Sequence, residues 1–217
     1  MSGSQRVIAV DGPAGSGKST LSRLVAAELG LDHLDTGAMY RAVACAVLRR
    51  GLDPSDTAAV SEAAADASIE IDAGTVVVDG TDVTAEIRGT EVTGAVSAVA
   101  ANPQVREILR VRQREWGLDR EGGVLEGRDI GTAVFPDAGL KIYVTASAHE
   151  RARRRAAESG GDVAVIEAEI TARDHADSTR EHDPLTVAAD AVTIDTTDLT
   201  VDEVVQRVVA LAREVVR

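Results

Sequence analysis

Gly12-Pro13-Ala14-Gly15-Ser16-Gly17-Lys18-Ser19 is the stretch whose reading decides the fold. It satisfies G-x-x-x-x-G-K-[ST] and lies where that pattern has physical meaning. A short apolar run, Arg6–Val10, precedes it, and a helical pattern from about Gly17 to Leu29, stopped by Gly30, follows it. Glycines let backbone N–H groups close around phosphate oxygens, and the start of the helix adds partial positive charge. Lys18 has the reach and charge for β and γ phosphates, and the Ser19 hydroxyl suits magnesium. The expected polyphosphate site is therefore Gly12, Pro13, Ala14, Gly15, Ser16, Gly17, Lys18, Ser19 and Thr20, with Lys18 catalytic and Ser19 the metal ligand.

Working outward, helical patterns cover Gly37–Arg50, stopped by Gly51, and Ala58–Ala67. The period then drops to two: Ser68–Asp72, Thr75–Asp79 and Asp82–Arg88 alternate apolar and polar residues. Ala73-Gly74 and Gly80-Thr81 separate them, which predicts a small antiparallel meander. Helices are expected again at Glu91–Ala101 and Gln104–Trp116, then buried strands at Val124–Gly127 and Leu140–Thr145. Ser147 and Glu150 form a capping box for an arginine-dense helix that breaks at Ser159-Gly160-Gly161 before a helix from about Val163 to Arg180. A strand at Ala191–Asp195 and a helix opened by Thr200 and Glu203 complete the chain; Val201, Val204, Val205, Val208, Leu211, Ala212 and Val215 form that helix's apolar stripe. Strands alternating with helices around a β insert predict an α/β, three-layer fold with a parallel central sheet.

The 217 residues are enough to bury a full core, and we expect one domain with inserts. A net charge of −13 opposes non-specific binding to nucleic acid, and four aromatic residues, Tyr40, Trp116, Phe135 and Tyr143, are too few for base-stacking platforms. The lone Cys45 fits a reducing compartment. The start, MSGSQ, lacks a signal core, and no run approaches the roughly 20 apolar residues that span a bilayer, so a cytoplasmic protein without a membrane partner is expected.

A phosphate loop alone leaves several classes open. No guanine-reading Asn-Lys-x-Asp segment occurs, and the pair Asp202-Glu203 opens a helix rather than closing an apolar strand. A small-molecule kinase is thereby favoured over a GTPase or a motor ATPase. Asp35-Thr36-Gly37-Ala38-Met39-Tyr40-Arg41, Glu126-Gly127-Arg128-Asp129-Ile130-Gly131-Thr132 with Phe135-Pro136-Asp137-Ala138, and Arg173-Asp174 with Asp177 and Arg180 narrow it further. Together they closely resemble the bacterial cytidylate kinases, from about Val7 to the C-terminus.

The resemblance implies ATP as donor with Mg2+, CMP and dCMP as acceptors, and a monomer. It implies a nucleotide-binding insert at 37–122, a lid at 150–181 and a core of 1–36, 123–149 and 182–217. Carried over by position, Thr36 contacts the acceptor, Arg41 and Arg128 clamp its phosphate, and Ser97 and Arg106 read the cytosine edge. Asp129 lies at the nucleoside, Arg180 approaches the base, and Arg173 and Asp177 contact the ribose. On residues alone, the spacing of Arg173, Asp177 and Arg180 puts all three on one helix face, which also fits a surface ion-pair ladder. Arg151, Arg154 and Arg155 share a helix face, and as a lid they would offer arginine fingers; Arg154 and Arg155 are taken as catalytic together with Lys18 and Arg128. A monophosphate acceptor is already anionic, since its second pKa is about 6. No general base is therefore expected among His33, His149, His175 and His182. The alternatives are a kinase of a hydroxyl acceptor such as shikimate, and a nucleotide sensor without catalysis.

Overall fold

The computed structural model describes residues 3–72 and 74–215. Met1 and Ser2 of the opening segment, and Ala73 of the first meander turn, lie outside the described residues. In chain order the elements are β1 (Val7–Asp11), α1 (Lys18–Leu29), β2 (His33–Asp35), α2 (Thr36–Arg49), α3 (Thr57–Asp66), β3 (Ile69–Asp72), β4 (Thr75–Val78) and β5 (Thr81–Asp82). They continue with α4 (Thr90–Ala101), α5 (Pro103–Asp119), β6 (Gly123–Gly127), β7 (Leu140–Thr145), α6 (Ala148–Ser159), α7 (Val163–Thr179), β8 (Val192–Asp195) and α8 (Val201–Val215). The chain divides into two compact units, one of Met1–Leu34 with Trp116–Arg217, the other Asp35–Glu115.

The first unit is built on a five-stranded sheet of order β2-β6-β1-β7-β8, with β1 paired in parallel to β6 and β7, and β7 to β8. β1 is buried along its whole length, as its unbroken apolar run predicts for a central parallel strand. Ile8, Val10, Ile142, Val144 and Ile194 form one core with Leu21, Val25 and Ala26 of α1 and Val204, Val205, Val208, Val209 and Ala212 of α8. The stripe predicted for α8 is the face that α8 buries, although Val201 and Val215 at its ends are exposed. Its capping box closes in both directions, with Thr200 N donating to Glu203 Oε2 at 2.8 Å and Glu203 N to Thr200 Oγ1 at 3.3 Å. β1 lies where the chain turns outward to both sides of the sheet, and at such a point the loops leaving the C-terminal strand ends converge. Those loops are Gly12–Gly17, the segment from Arg128, the start of α6 and the segment after Asp195.

The second unit packs α2, α3 and α4 with an antiparallel sheet of order β3-β4-β5. α2 buries Ala42 through Val47, including Cys45. The third strand of the meander is shorter than expected. β5 covers Thr81–Asp82 only, and Glu86–Arg88 is a turn of 3-10 helix. Asp82 takes the Thr84 N–H at 2.9 Å and bends the chain out of the ladder. The Thr84 hydroxyl then accepts the Val76 N–H, also at 2.9 Å, where a further strand residue would have done so.

Candidate active site

Gly12 leaves β1 with φ 152°, and a Cβ added there would fall 2.0 Å from the Val144 carbonyl oxygen, so no side chain fits between the loop and β7. Gly17 sits at φ 87° immediately before α1 and turns the loop into the helix. Lys18 is half-buried and folds back along the loop, its Nζ donating to Pro13 O at 2.7 Å. Ser19 Oγ donates to Glu126 Oε2 at 2.8 Å, which leaves the hydroxyl lone pairs for a cation. Glu126 ends the apolar run of β6, is buried, and lies 3.0 Å from His33 Nε2 through its other oxygen. These hard oxygen donors fit Mg2+, which is held by a few protein oxygens together with phosphates and water. Among the described residues no group of three His, Cys, Asp or Glu side chains could hold a metal by itself.

Asp11, the last residue of β1, is buried and accepts the Ile130 and Gly131 N–H groups at 2.8 and 2.7 Å. Burial raises its pKa to about 6; the two N–H bonds oppose that shift without cancelling it. The carboxylate ties the phosphate loop to the segment that carries Arg128 and Asp129. There the chain forms a wide helical turn, in which Phe135 N donates to Ile130 O at 2.7 Å. Arg128 Nη1 donates to Gly12 O at 2.5 Å, and Arg128 Nε lies 2.9 Å from Asp177 Oδ2. Arg180 is 3.9 Å from both Asp129 and Asp177. The single helix face expected for Arg173, Asp177 and Arg180 does not hold for the third. α7 ends at Thr179, Arg180 is extended (ψ 148°), and its Nε is turned onto Asp183 O. Arg173 Nε is buried without a hydrogen-bond partner among the described residues. Burial first, and then the charge of Arg128, push the Arg173 guanidinium below its ordinary pKa. A buried, unsatisfied guanidinium nitrogen beside Arg128 is a place where an anionic or hydroxyl-bearing ligand gains binding energy.

α6 and α7 lie over the loop. Arg151, grouped above with the arginines of a swinging lid, is instead buried, its Nη1 donating to Ala14 O at 2.8 Å and pairing with Asp174. Arg154 donates from Nε to Glu150 and from Nη1 and Nη2 to Thr196, and its Nη1 lies 3.9 Å from the position of a Cβ added to Gly17. Hydrogen bonds from Arg153 and Arg154 bring the Glu150 pKa down to about 2. Arg155 is half-buried on the same helix. A cleft of about 610 Å³ opens beside the loop, with Ser16, Gly17, Thr20, Arg154, Thr196 and Leu199 among its walls.

In the second unit Asp35 caps α2 by accepting the Ala38 N–H at 3.0 Å, and Thr36, the first residue of the helix, is buried. Arg41 Nη1 donates to Ile87 O at 3.0 Å and to Thr93 Oγ1 at 2.9 Å. Arg106 is buried, donates to Ala100 O at 3.3 Å and lies 5.8 Å from the centre of the Tyr40 ring. Ser97 is exposed on α4.

The family model described as cytidylate kinase matches residues 8–214. The chain belongs to the cytidylate kinase family. It is 49% identical to a cytidylate kinase of Rhodococcus jostii, over 99% of this chain and 97% of that one. It is 50% identical to a bifunctional pantoate ligase/cytidylate kinase of a Synechococcus, over 96% of this chain, but spans only 43% of that longer protein. Among solved structures, a gluconokinase of Sinorhizobium meliloti superposes with a TM-score of 0.53 over 98% of this chain at 14% identity, a likeness of fold alone. Membership favours neither the hydroxyl-acceptor kinase nor the sensor.

Four parts of the site carry no role in the sequence reading: Asp11, Glu126, the bond from Ala14 N to Asp174, and the Thr196–Leu199 wall. Asp11 and Glu126 had a signal, each being an acid that closes a buried apolar run. The others depend on contacts between distant residues.

Proposed function

We propose that the chain transfers the γ-phosphoryl group of ATP to CMP, and also to dCMP, giving ADP and the diphosphate. The observation that carries this reading is the bond from Arg128 to Gly12 O. It joins the acceptor-phosphate arginine directly to the donor loop, so two mutually repelling anions are held in one fixed geometry. Magnesium, held through Ser19 with Glu126 behind it, would supply charge neutralisation at the β and γ phosphates. Lys18 reaches the same oxygens from within the loop. Arg128 and Arg41 take the acceptor phosphate, and Arg173 offers its unpartnered Nε to the ribose beside Asp177. Thr36, Asp129 and Arg180 complete the acceptor contacts. The 610 Å³ cleft has the size and place for the nucleoside of ATP, with Arg154 on its wall and Arg155 on the same helix. No side chain need take a proton, because the attacking oxygen is already anionic. Among the described residues no helix is long and apolar enough to cross a membrane, and we take the enzyme to work in the cytoplasm as a monomer. Ribo and deoxy monophosphates tested with ATP and magnesium in an ADP-release assay should show turnover with CMP and dCMP. No turnover on any monophosphate would refute the assignment.

Base selection should reside in Ser97 and Arg106. Cytosine presents an amine donor beside ring-nitrogen and carbonyl acceptors, and uracil reverses part of that pattern. A buried group left unpaired costs about 1–3 kcal/mol. Ser97→Ala with Arg106→Met is expected to lower kcat/KM for CMP far more than for UMP, leaving the KM for ATP little changed. An unchanged CMP-to-UMP ratio would move base reading to Arg180 and Asp129.

The arms of α6 and α7 beyond Arg151 and Asp174 should close when both substrates are bound. ATP with CMP is expected to protect residues 150–181 from limited proteolysis more than either alone; equal protection by ATP alone would show that the acceptor does not gate closure.

A further inference from the structure

The crest of the phosphate loop is held from outside the loop. Asp174 of α7 accepts the Ala14 N–H at Oδ1, 3.0 Å away, and pairs with Arg151 through Oδ2. Arg151 donates from Nη1 to Ala14 O at 2.8 Å and from Nε to Ala146 O at 3.0 Å, anchoring the pair to the end of β7. Both backbone polar groups of Ala14 are thus engaged by the α6–α7 hairpin, and its methyl packs with Ala152, Ile166 and Ile170. Gly15 is confined too, since a Cβ added there would meet Arg151 Cβ at 3.3 Å and Ile170 Cδ1 at 3.5 Å.

A carboxylate at the rim of a site that receives a triphosphate works against the ligand by simple charge. Arg151 offsets that charge but does not explain why it is there. The bond to Ala14 does. A flexible glycine-containing loop must be ordered before its N–H groups can converge on an anion, and any part of that ordering done in advance appears as affinity.

We propose that Asp174 is a positioning residue for the donor polyphosphate. Braced by Arg151, it fixes Ala14 and so presets the N–H groups of Gly15, Ser16 and Gly17 before nucleotide arrives. The proposal rests on the reading of this loop as the ATP site and is independent of the acceptor.

The test is equilibrium calorimetry of Mg·ADP, without turnover, on three variants. Asp174→Ala and Asp174→Leu remove the acceptor, Leu keeping nearly the shape of Asn; Asp174→Asn retains a carbonyl for the Ala14 N–H. Ala and Leu should weaken Mg·ADP about tenfold, the loss expected when one ordering contact is removed, while Asn, which keeps a carbonyl for the Ala14 N–H but turns an amide toward Arg151, should bind more tightly than either. Loss of a repelling charge alone would tighten binding, so the sign of the change separates the two accounts. Unchanged or tighter binding in Ala and Leu would overturn the proposal, as would an Asn variant as weak as Ala. Mg·ADP binding by the parent chain in the same titration reports on the ATP-site reading itself, so the two failures are distinguishable.

Discussion

Lys18→Met should lower kcat for phosphoryl transfer by about two to three orders of magnitude or more, with a melting curve close to that of the parent chain. The lysine is half-buried and its Nζ is held by Pro13 O, so it sits inside the curve of the loop rather than reaching out of it. Charge develops on the transferring group only as the bond to ADP breaks, and a cation already fixed beside that oxygen stabilises the transition state more than the bound substrate. Methionine keeps the length of the chain and loses the charge. The main structural cost is the bond to one partly accessible carbonyl, about 1 kcal/mol. The loss should therefore appear in kcat more than in the KM for ATP. Steady-state rates within tenfold of the parent would remove Lys18 from the catalytic set.

The next largest effect is expected at Arg128. Its guanidinium bridges Gly12 O and the Asp177 carboxylate, so Arg128→Met removes the cation proposed for the acceptor phosphate and also leaves Asp177 without its nearest partner. Truncating one member of a largely buried charge pair costs about 2–5 kcal/mol, which corresponds to roughly 30- to 5000-fold in kcat/KM for CMP. Arg128→Lys should recover little. A single ammonium cannot span the carbonyl, the carboxylate and a phosphate at once, whereas a planar guanidinium presents donors in several directions. Kinetics at saturating ATP, with CMP varied, decide the matter. Recovery by lysine to within threefold would mean that charge alone suffices and the bridging geometry is incidental.

The legible parts of this fold are those whose causes are local. The loop, the strand before it and the helix after it are contiguous, and each supports the reading of the others. The boxes at Ser147/Glu150 and Thr200/Glu203 are set by residues three apart. β2 leaves no mark in the sequence, since His33–Asp35 is three residues long with polar ends and has no apolar run to announce it. The alternation in Asp82–Arg88 predicts a longer third meander strand than forms, because it says nothing of the Asp82 side chain taking the Thr84 N–H. Within the site, helical spacing alone groups Arg151 with its neighbours. What sets it apart is Ala14, which lies far back along the chain and leaves no mark on the local pattern.

The bonds that finish the phosphate loop also set an order of events during synthesis. Gly12 waits for an arginine 116 residues downstream, and Ala14 for an aspartate 160 residues downstream. A growing chain, emerging at about 5–20 residues per second, therefore carries its motif in an unbraced form for several seconds or more, until α7 has been made. The motif and the residues that brace it are thus separated in time as well as in sequence, and a ribosome-bound chain stopped before Asp174 holds the motif without the site.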